Sequence, residues 1–106
     1  MNKNVKIFDV GESGGAFAYR FSAKDTLFSL AERFHTSVGA IIALNGLTEY
    51  PSAGEYILIE RTEGTPHTVT PSESIRNAIE GHEAESAKIK SKNRTEYFYA
   101  GQKIFI

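Results

Sequence analysis

Apolar and polar residues alternate in two short segments of the first half of the chain. Phe17, Tyr19 and Phe21 are separated by smaller or polar residues, which predicts a strand with one buried face. A second short run of strand-forming residues, Tyr56-Ile57-Leu58-Ile59, follows a Gly and predicts a second strand. The two strands enclose a segment whose apolar residues recur with a different period.

That enclosed segment has the spacing of two amphipathic helices. Apolar residues fall at i, i+3, i+4 and i+7 in the first (Leu27, Leu30, Ala31, Phe34), and Asn45 completes the same spacing in the second (Val38, Ile41, Ile42, Asn45). Asp25 or Thr26 is suited to cap the first helix and Ser37 the second. Gly46 is placed where a left-handed residue ends a helix. The predicted order is strand, helix, helix, strand.

The second half of the chain repeats this unit. TEYPSAGEYILI (48–59) and TEYFYAGQKIFI (95–106) share Thr-Glu-Tyr, Ala-Gly and two isoleucines at an offset of 47. Residues 67–69 and 72–75 match 19–21 and 24–27 at an offset of 48. The predicted helices are weaker here, because Gly81 interrupts the first and Lys90 replaces an isoleucine in the second.

The repeat predicts an α+β fold with four parts. They are an N-terminal extension at 1–16, a first domain at 17–60, a linker at 61–66 and a second, degenerate domain at 67–106. In the extension VKIFDV alternates like a strand, and Lys6-Ile7-Phe8 echoes Lys103-Ile104-Phe105. The extension is therefore either an added strand or a fragment of a third unit.

Composition and charge exclude several classes of function. A net charge of −1 gives no basic field, and acidic residues surround the lysines of 88–94, which argues against a nucleic-acid partner. No apolar stretch has the length of a signal peptide or a membrane span, so we expect no membrane partner. The chain has no cysteine, and its histidines (His35, His67, His82) have no metal-ligand spacing. We expect no metal, no cofactor and no catalytic residue.

The first unit resembles the lysin motif, or LysM, family over its whole length. Tyr19 and Phe21 match the opening strand of the family, and Lys24-Asp25-Thr26-Leu27 matches its Gly-Asp-Thr-Leu turn with Lys in place of Gly. Leu30-Ala31, Ser37, Leu44-Asn45, Gly54, Ile57 and Ile59 match the remaining positions. The second unit is similar to the family mainly through Asn93, Gly101, Ile104 and Ile106.

The resemblance implies two tandem βααβ units, each with two helices packed on a two-stranded antiparallel sheet. It also implies binding of N-acetylglucosamine polymers, such as peptidoglycan or chitin, in a shallow groove between two loops. The first groove would consist of Lys24, Asp25, Thr26, Leu27 and Phe28, facing Asn45, Gly46, Leu47, Thr48 and Glu49. The second, weaker groove would consist of Ser72, Glu73, Ser74, Ile75 and Arg76, facing Asn93, Arg94, Thr95 and Glu96.

Several of these residues also have a purely structural interpretation. Asp25 and Thr26 suit a helix cap, and Asn45 suits the end of a helix, whether or not they touch a ligand. Tyrosines stack well on sugar rings, but for Tyr50 and Tyr97 we favour a core or half-buried position over stacking. Tyr99 has no counterpart in the first unit and is the better candidate for an exposed tyrosine.

Two hypotheses of function follow. The first is non-catalytic binding of a glycan that contains N-acetylglucosamine, above all bacterial peptidoglycan, with the protein located in the cell wall or spore envelope. The second is a protein-interaction or assembly module on a LysM scaffold that has lost sugar binding. Lys24 in place of Gly and the divergent second unit favour the second hypothesis. An enzyme is the weakest interpretation, because no nucleophile elbow or phosphate loop occurs in the sequence.

Overall fold

The computed structural model describes the backbone of residues 5–7 and all of residues 15–106. The chain forms two compact units, Met1–Arg61 and Thr62–Ile106. The second unit therefore begins inside the segment that the sequence suggested as a linker. Thr65 pairs with Ile106 through both of its backbone groups and so belongs to the second unit.

The first unit is α+β and has the predicted βααβ order, preceded by one more strand. Its elements are β1 (Val5–Ile7), β2 (Phe17–Arg20), α1 (Leu27–Arg33), α2 (Val38–Asn45) and β3 (Tyr56–Ile59). The sheet is antiparallel in the order β1-β2-β3, with Tyr19 between Val5 and Ile57. β1 lies in the N-terminal extension and pairs with the second edge of β2, so the alternative of an added strand is confirmed and the sheet has three strands instead of the two that the resemblance implied.

The core of the first unit lies between β2, β3 and the two helices. Its buried residues are Tyr19, Phe21, Leu27, Leu30, Ala31, Ile41, Ile57 and Ile59. Phe34 follows α1 and packs edge-on against the rings of Phe17 and Tyr19, at centroid distances of 5.0 and 5.5 Å. The apolar positions that predicted the helices are therefore mostly the ones that close the core.

Both helices are capped by residues that the sequence suggested as caps. Thr26 caps α1, and its hydroxyl accepts a hydrogen bond from the Ser29 amide. Ser37 caps α2 in the same way through the Ala40 amide. Gly46 ends α2 in the left-handed region at φ 60°, which confirms its predicted role.

The second unit has two strands and two helices. Its elements are β4 (Pro66–Thr68), α3 (Pro71–Arg76), a 3-10 turn (Glu83–Glu85), α4 (Ser86–Lys92) and β5 (Lys103–Phe105). β4 and β5 form a two-stranded antiparallel sheet in which His67 faces Ile104. The buried core consists of Val69, Ile79, Ile89, Phe98 and Ile104, with Ile106 packed against it.

The first helix of this unit does not begin where the repeat placed it. Thr70 and Glu73 form a reciprocal capping box around Pro71, so α3 starts one turn before the position equivalent to α1. Asn77 then ends it in the left-handed region at φ 55°, four residues before Gly81. The equivalent residues of the first unit, Ser22 and Asp25, form only a turn that precedes the helix.

Among the described residues, no single helix is long and apolar enough to cross a membrane. The pair α1 and α2 meets that criterion only when the two are taken together, and the chain bends by 106° between them.

Candidate functional site

A shallow pocket of about 200 Å³ lies where α1 begins and the loop from α2 to β3 passes. Its lining consists of Leu27, Ile42, Leu47, Thr48, Glu49 and Tyr50. A neighbouring pocket of about 270 Å³ extends along the same loop from Gly46 to Glu55. The fold thus brings Leu27 together with Leu47, Thr48 and Glu49, four of the ten residues predicted for the first groove. Ile42 and Tyr50 were not predicted to line it.

Tyr50 connects the two sides of this pocket. Its hydroxyl oxygen accepts a hydrogen bond from the Leu27 amide at 3.0 Å, and Leu27 is the first residue of α1. Its ring stands edge-on to Phe21, with the centroids 5.7 Å apart. The side chain is 57% exposed, so the expectation of a core or half-buried tyrosine is wrong. The adjacent Pro51 is buried and takes the inward position instead.

The predicted residues that precede α1 form a closed turn. The Asp25 carboxylate accepts from the Ser22 amide at 2.9 Å, and the Asp25 amide donates to the Ser22 carbonyl at 3.0 Å. The Thr26 amide donates to the Ser29 hydroxyl. Lys24 is exposed, lines neither of the two pockets described above and has no positive φ. The absence of glycine at this position therefore places no strain on the backbone.

Asp25 is also tied to the core through Tyr19. The Tyr19 hydroxyl donates to the carboxylate of Asp25 at 2.8 Å. Burial and the nearby Asp25 carboxylate raise the pKa of Tyr19, against a smaller opposing effect of Arg33. Asp25 therefore anchors the turn to β2, and its structural interpretation is sufficient to explain it.

Asn45 has a structural role that uses its whole amide group. Its Nδ2 donates to the carbonyls of Ile41 and Leu58, each at 2.8 Å, and its Oδ1 accepts from the Leu58 amide at 2.6 Å. These bonds hold the end of α2 against β3. The remaining predicted residue of this groove, Phe28, is 58% exposed on α1.

The same bonds recur in the second unit. Nδ2 of Asn93 donates to the carbonyls of Ile89 and Phe105, and its Oδ1 accepts from the Phe105 amide, all at 2.8 Å. Asn93 is buried. The offset of 48 residues between Asn45 and Asn93 is thus a repeat of one structural device, which joins the second helix of each unit to its last strand.

The predicted loop of the second groove is a helix. Ser72, Glu73, Ser74, Ile75 and Arg76 all lie within α3. Glu73 is only 2% exposed, and its carboxylate accepts from the amides of Thr70 and Glu80 at 2.9 Å and lies 2.8 Å from Nε2 of His67. Burial raises the pKa of Glu73, but these hydrogen bonds outweigh it and lower the pKa to about 2.

The opposite side of the predicted second groove is polar. Thr95 donates to the carbonyl of Tyr97 and accepts from the Gln102 side chain. Arg94 is left-handed at φ 54°, and Glu96 is exposed. Lys90 stands where the first unit has Ile42, with its ammonium 5.1 Å from the centre of the Phe98 ring.

The apolar residues of this unit are also placed differently. Ile75 is 86% exposed, whereas its equivalent Leu27 is buried. Tyr97 is 61% exposed, so the expectation of a core or half-buried residue is wrong here too, and the buried aromatic is its neighbour Phe98. Tyr99 is 51% exposed, as predicted. The second unit therefore does not reproduce the apolar lining of the first pocket.

Sequence reasoning missed Ile42 and Tyr50 for identifiable reasons. α2 reads VGAIIALN and is apolar on nearly every face, so its period does not show that Ile41 points inward and Ile42 outward. A core or half-buried position was expected for the repeated Tyr, whereas the burial falls one residue later, at Pro51 and Phe98. The one available signal for Tyr50 was its place in the loop opposite Leu27.

In residues 15–106 no three His, Asp or Glu side chains are close enough together to hold a metal ion. His67 pairs with Glu73, and His82 lies 3.8 Å from Glu85. His35 lies between α1 and α2 with a left-handed backbone.

Comparison with known proteins identifies the first unit. A family model described as the LysM domain matches residues 19–57, so the chain contains one LysM domain there. The match covers both helices, parts of β2 and β3, and every residue that lines the 200 Å³ pocket. It does not extend to the second unit.

Comparison with curated proteins gives no match. Among solved structures, the crystal structure of the Bacillus cereus spore cortex-lytic enzyme SleL is similar, with 20% identity and a TM-score of 0.41. The alignment covers 86% of this chain and 22% of that one, so this chain spans about a fifth of its length.

Proposed function

We propose that the first unit binds a glycan that contains N-acetylglucosamine, peptidoglycan above all or chitin oligomers, without catalysing a reaction on it. LysM domains typically bind such glycans. The observation that carries the proposal is the pocket in which the start of α1 and the α2–β3 loop are joined by the hydrogen bond from Leu27 to Tyr50. It lies between the two loops that the family resemblance assigns to the ligand.

The lining of the pocket suits a neutral sugar. Leu27, Ile42, Leu47 and the Tyr50 ring offer apolar surface, which packs against a sugar face or a methyl group. Thr48 and Glu49 add polar groups at the exposed rim. Such a site binds by shape and a few hydrogen bonds and needs no reactive side chain.

An NMR titration with chitohexaose and with soluble peptidoglycan fragments tests the proposal. We expect saturable shifts of the amide signals of Leu27, Leu47, Thr48 and Tyr50, with the signals of 62–106 unmoved. Isothermal titration supplies the affinity. Neither heat nor shifts with any of these glycans at millimolar concentration would contradict the proposal.

The second candidate is a protein-interaction or assembly module on the LysM scaffold, and one observation favours it. The amides of the turn before α1 are already bonded within the protein: those of Ser22, Asp25, Thr26 and Leu27 have intramolecular acceptors. A sugar would find few free backbone donors on that side. Two pull-down experiments separate the two functions. Binding of the protein to insoluble peptidoglycan indicates the first, and capture of one defined protein partner by the immobilised protein indicates the second.

A further inference from the structure

We propose that Tyr50 is the residue that determines specificity in the first unit, and that its hydroxyl donates a hydrogen bond to an acetamido carbonyl of the glycan. This inference rests on the glycan-binding function proposed above. It adds the group that the site recognises and the residue of this chain that recognises it.

The hydroxyl of Tyr50 has its acceptor role filled by the protein. The Leu27 amide donates to it at 3.0 Å, which fixes the direction of that bond, because an amide N–H can only donate. The hydroxyl proton remains, and within residues 15–106 the hydroxyl donates no hydrogen bond. With 57% of the side chain exposed, that proton is presented to a ligand.

The bond from Leu27 also makes the hydroxyl a better donor. An oxygen that accepts a hydrogen bond is polarised, so that the bond it donates is strengthened. The bond holds the ring in place as well, together with the edge-on contact to Phe21 at 5.7 Å. A ligand that accepts from Tyr50 therefore meets a donor with a fixed position.

The surroundings of the hydroxyl define the ligand group. The pocket beside it is lined by Leu27, Ile42 and Leu47, and its six lining residues include no Lys or Arg. Glu49 at the rim disfavours a carboxylate or phosphate. A neutral carbonyl next to a methyl group satisfies both the donor and the apolar wall, and the acetamido group of N-acetylglucosamine has that structure.

The second unit supplies an internal comparison. Tyr97 occupies the position equivalent to Tyr50 at an offset of 47 and is similarly exposed. The helix opposite it is shifted by a turn, and the equivalent of Leu27 is the exposed Ile75. Tyr97 is therefore a matched tyrosine whose hydroxyl has no such bond to a helix among the described residues, and Tyr97→Phe is the control.

The test compares wild type, Tyr50→Phe and Tyr97→Phe in isothermal and NMR titrations with chitohexaose. We expect Tyr50→Phe to weaken binding about fivefold to tenfold, the effect of one lost hydrogen bond, and Tyr97→Phe to change nothing. In the wild type the amide proton of Leu27 should shift downfield on binding, since it shares the oxygen that donates to the glycan. Cellohexaose, which has hydroxyls in place of the acetamido groups, should bind at least tenfold more weakly.

Each alternative result has its own meaning. Wild type that does not bind chitohexaose overturns the proposed function and this inference with it. Chitohexaose binding that Tyr50→Phe leaves unchanged overturns only this inference. Weaker binding by Tyr50→Phe with an unmoved Leu27 amide in the wild type also overturns it, because Tyr50 would then act only by shaping the pocket. Equal affinity for cellohexaose overturns the acetamido assignment.

Discussion

At the scale of single residues, the hydrogen bonds of the two units are more alike than their exposed residues are. Asp25 accepts from the Tyr19 hydroxyl and the Ser22 amide, and Glu73 accepts from His67 and the Thr70 amide at the same offset. Both units have an acidic residue at this position because its carboxylate ties the following segment to the first strand of the sheet. The pair Asp25 and Tyr19 makes this connection in the first unit, and Glu73 and His67 make it in the second.

Glu73 makes the stability of the second unit depend on pH. Its pKa is about 2 in the folded protein, below the ordinary value of 4.5, so it stabilises the fold above pH 4.5. That contribution is lost as the pH falls from 4.5 towards 2. We expect the free energy of unfolding of this unit to drop by about 3 kcal/mol over this interval. Urea unfolding followed by amide signals of residues 62–106 measures it.

Glu73→Gln is the matched variant for this prediction. It removes the ionisation while keeping the size of the side chain, so it should lower stability at pH 7 and flatten the dependence between pH 5 and 2. A variant with the same slope as the wild type would show that other carboxylates carry the acid sensitivity.

Asn45 and Asn93 should matter for stability rather than for binding. Replacing either by Ala removes the side-chain hydrogen bonds to the backbone amide and carbonyl of one residue of the last strand, Leu58 or Phe105. We expect a loss of about 2 to 4 kcal/mol for each, and the larger loss at the buried Asn93. Thermal unfolding measures this, with the exposed Ser91→Ala as control, and a loss under about 1 kcal/mol would contradict it.

At the scale of elements, the second helices of the two units end with the same hydrogen bonds but with different left-handed residues. α2 and α4 end with equivalent hydrogen bonds: Leu47 donates to the carbonyl of Ile42, and Thr95 to that of Lys90. The left-handed residue in this ending is Gly46 in the first unit and Arg94 in the second. A side chain in that conformation is strained, whereas glycine is not.

Arg94→Gly should therefore stabilise the second unit. Relief of left-handed strain exceeds the added freedom of the unfolded chain, so we expect a gain of about 0.5 to 1 kcal/mol. The reverse change, Gly46→Arg, should destabilise the first unit by a similar amount. Thermal unfolding of both variants checks the pair, and a loss of stability in Arg94→Gly would show that the Arg94 side chain makes a compensating contact.

At the scale of the whole molecule, one LysM domain is followed by a second unit. The second unit has the equivalent asparagine and carboxylate hydrogen bonds but lacks the apolar pocket. Ile42 contributes a wall to the first pocket, and its equivalent Lys90 lies over Phe98. We therefore expect one glycan-binding site per chain.

Isothermal titration with chitohexaose should accordingly give a stoichiometry of one. Ile42→Lys, which copies the second unit into the first, should reduce affinity at least tenfold, because a desolvated ammonium would replace apolar surface. Ala43→Lys on the same exposed stretch of α2 is the control and should bind as wild type does. A stoichiometry of two would contradict the prediction.

Much of the structure of the first unit could be predicted from its sequence. Its strands and helices follow from period and capping residues, because the pattern of burial and the local hydrogen bonds agree there. The structure of the second unit was harder to predict from its sequence. Thr70, Pro71 and Glu73 form a stronger helix start than the later residues at which the repeat placed the start of this helix. Position in a repeat cannot reveal such a competition between local signals.

The candidate groove was predictable only in part. Leu27, Leu47, Thr48 and Glu49 line the pocket as the family resemblance implied, whereas Asp25 and Asn45 are engaged in the scaffold. Ile42 and Tyr50 were missed because their exposure depends on which neighbour fills the core, Ile41 in one case and Pro51 in the other.

The sequence by itself determined the order of elements, the helix ends and the existence of a repeat, since these depend on residues close together in the chain. Only the tertiary structure decided that β1 pairs with β2 as a third strand and that Tyr50 reaches across to Leu27. Contacts of this kind join residues up to 23 positions apart, and no local pattern encodes which distant group fills a given hydrogen bond.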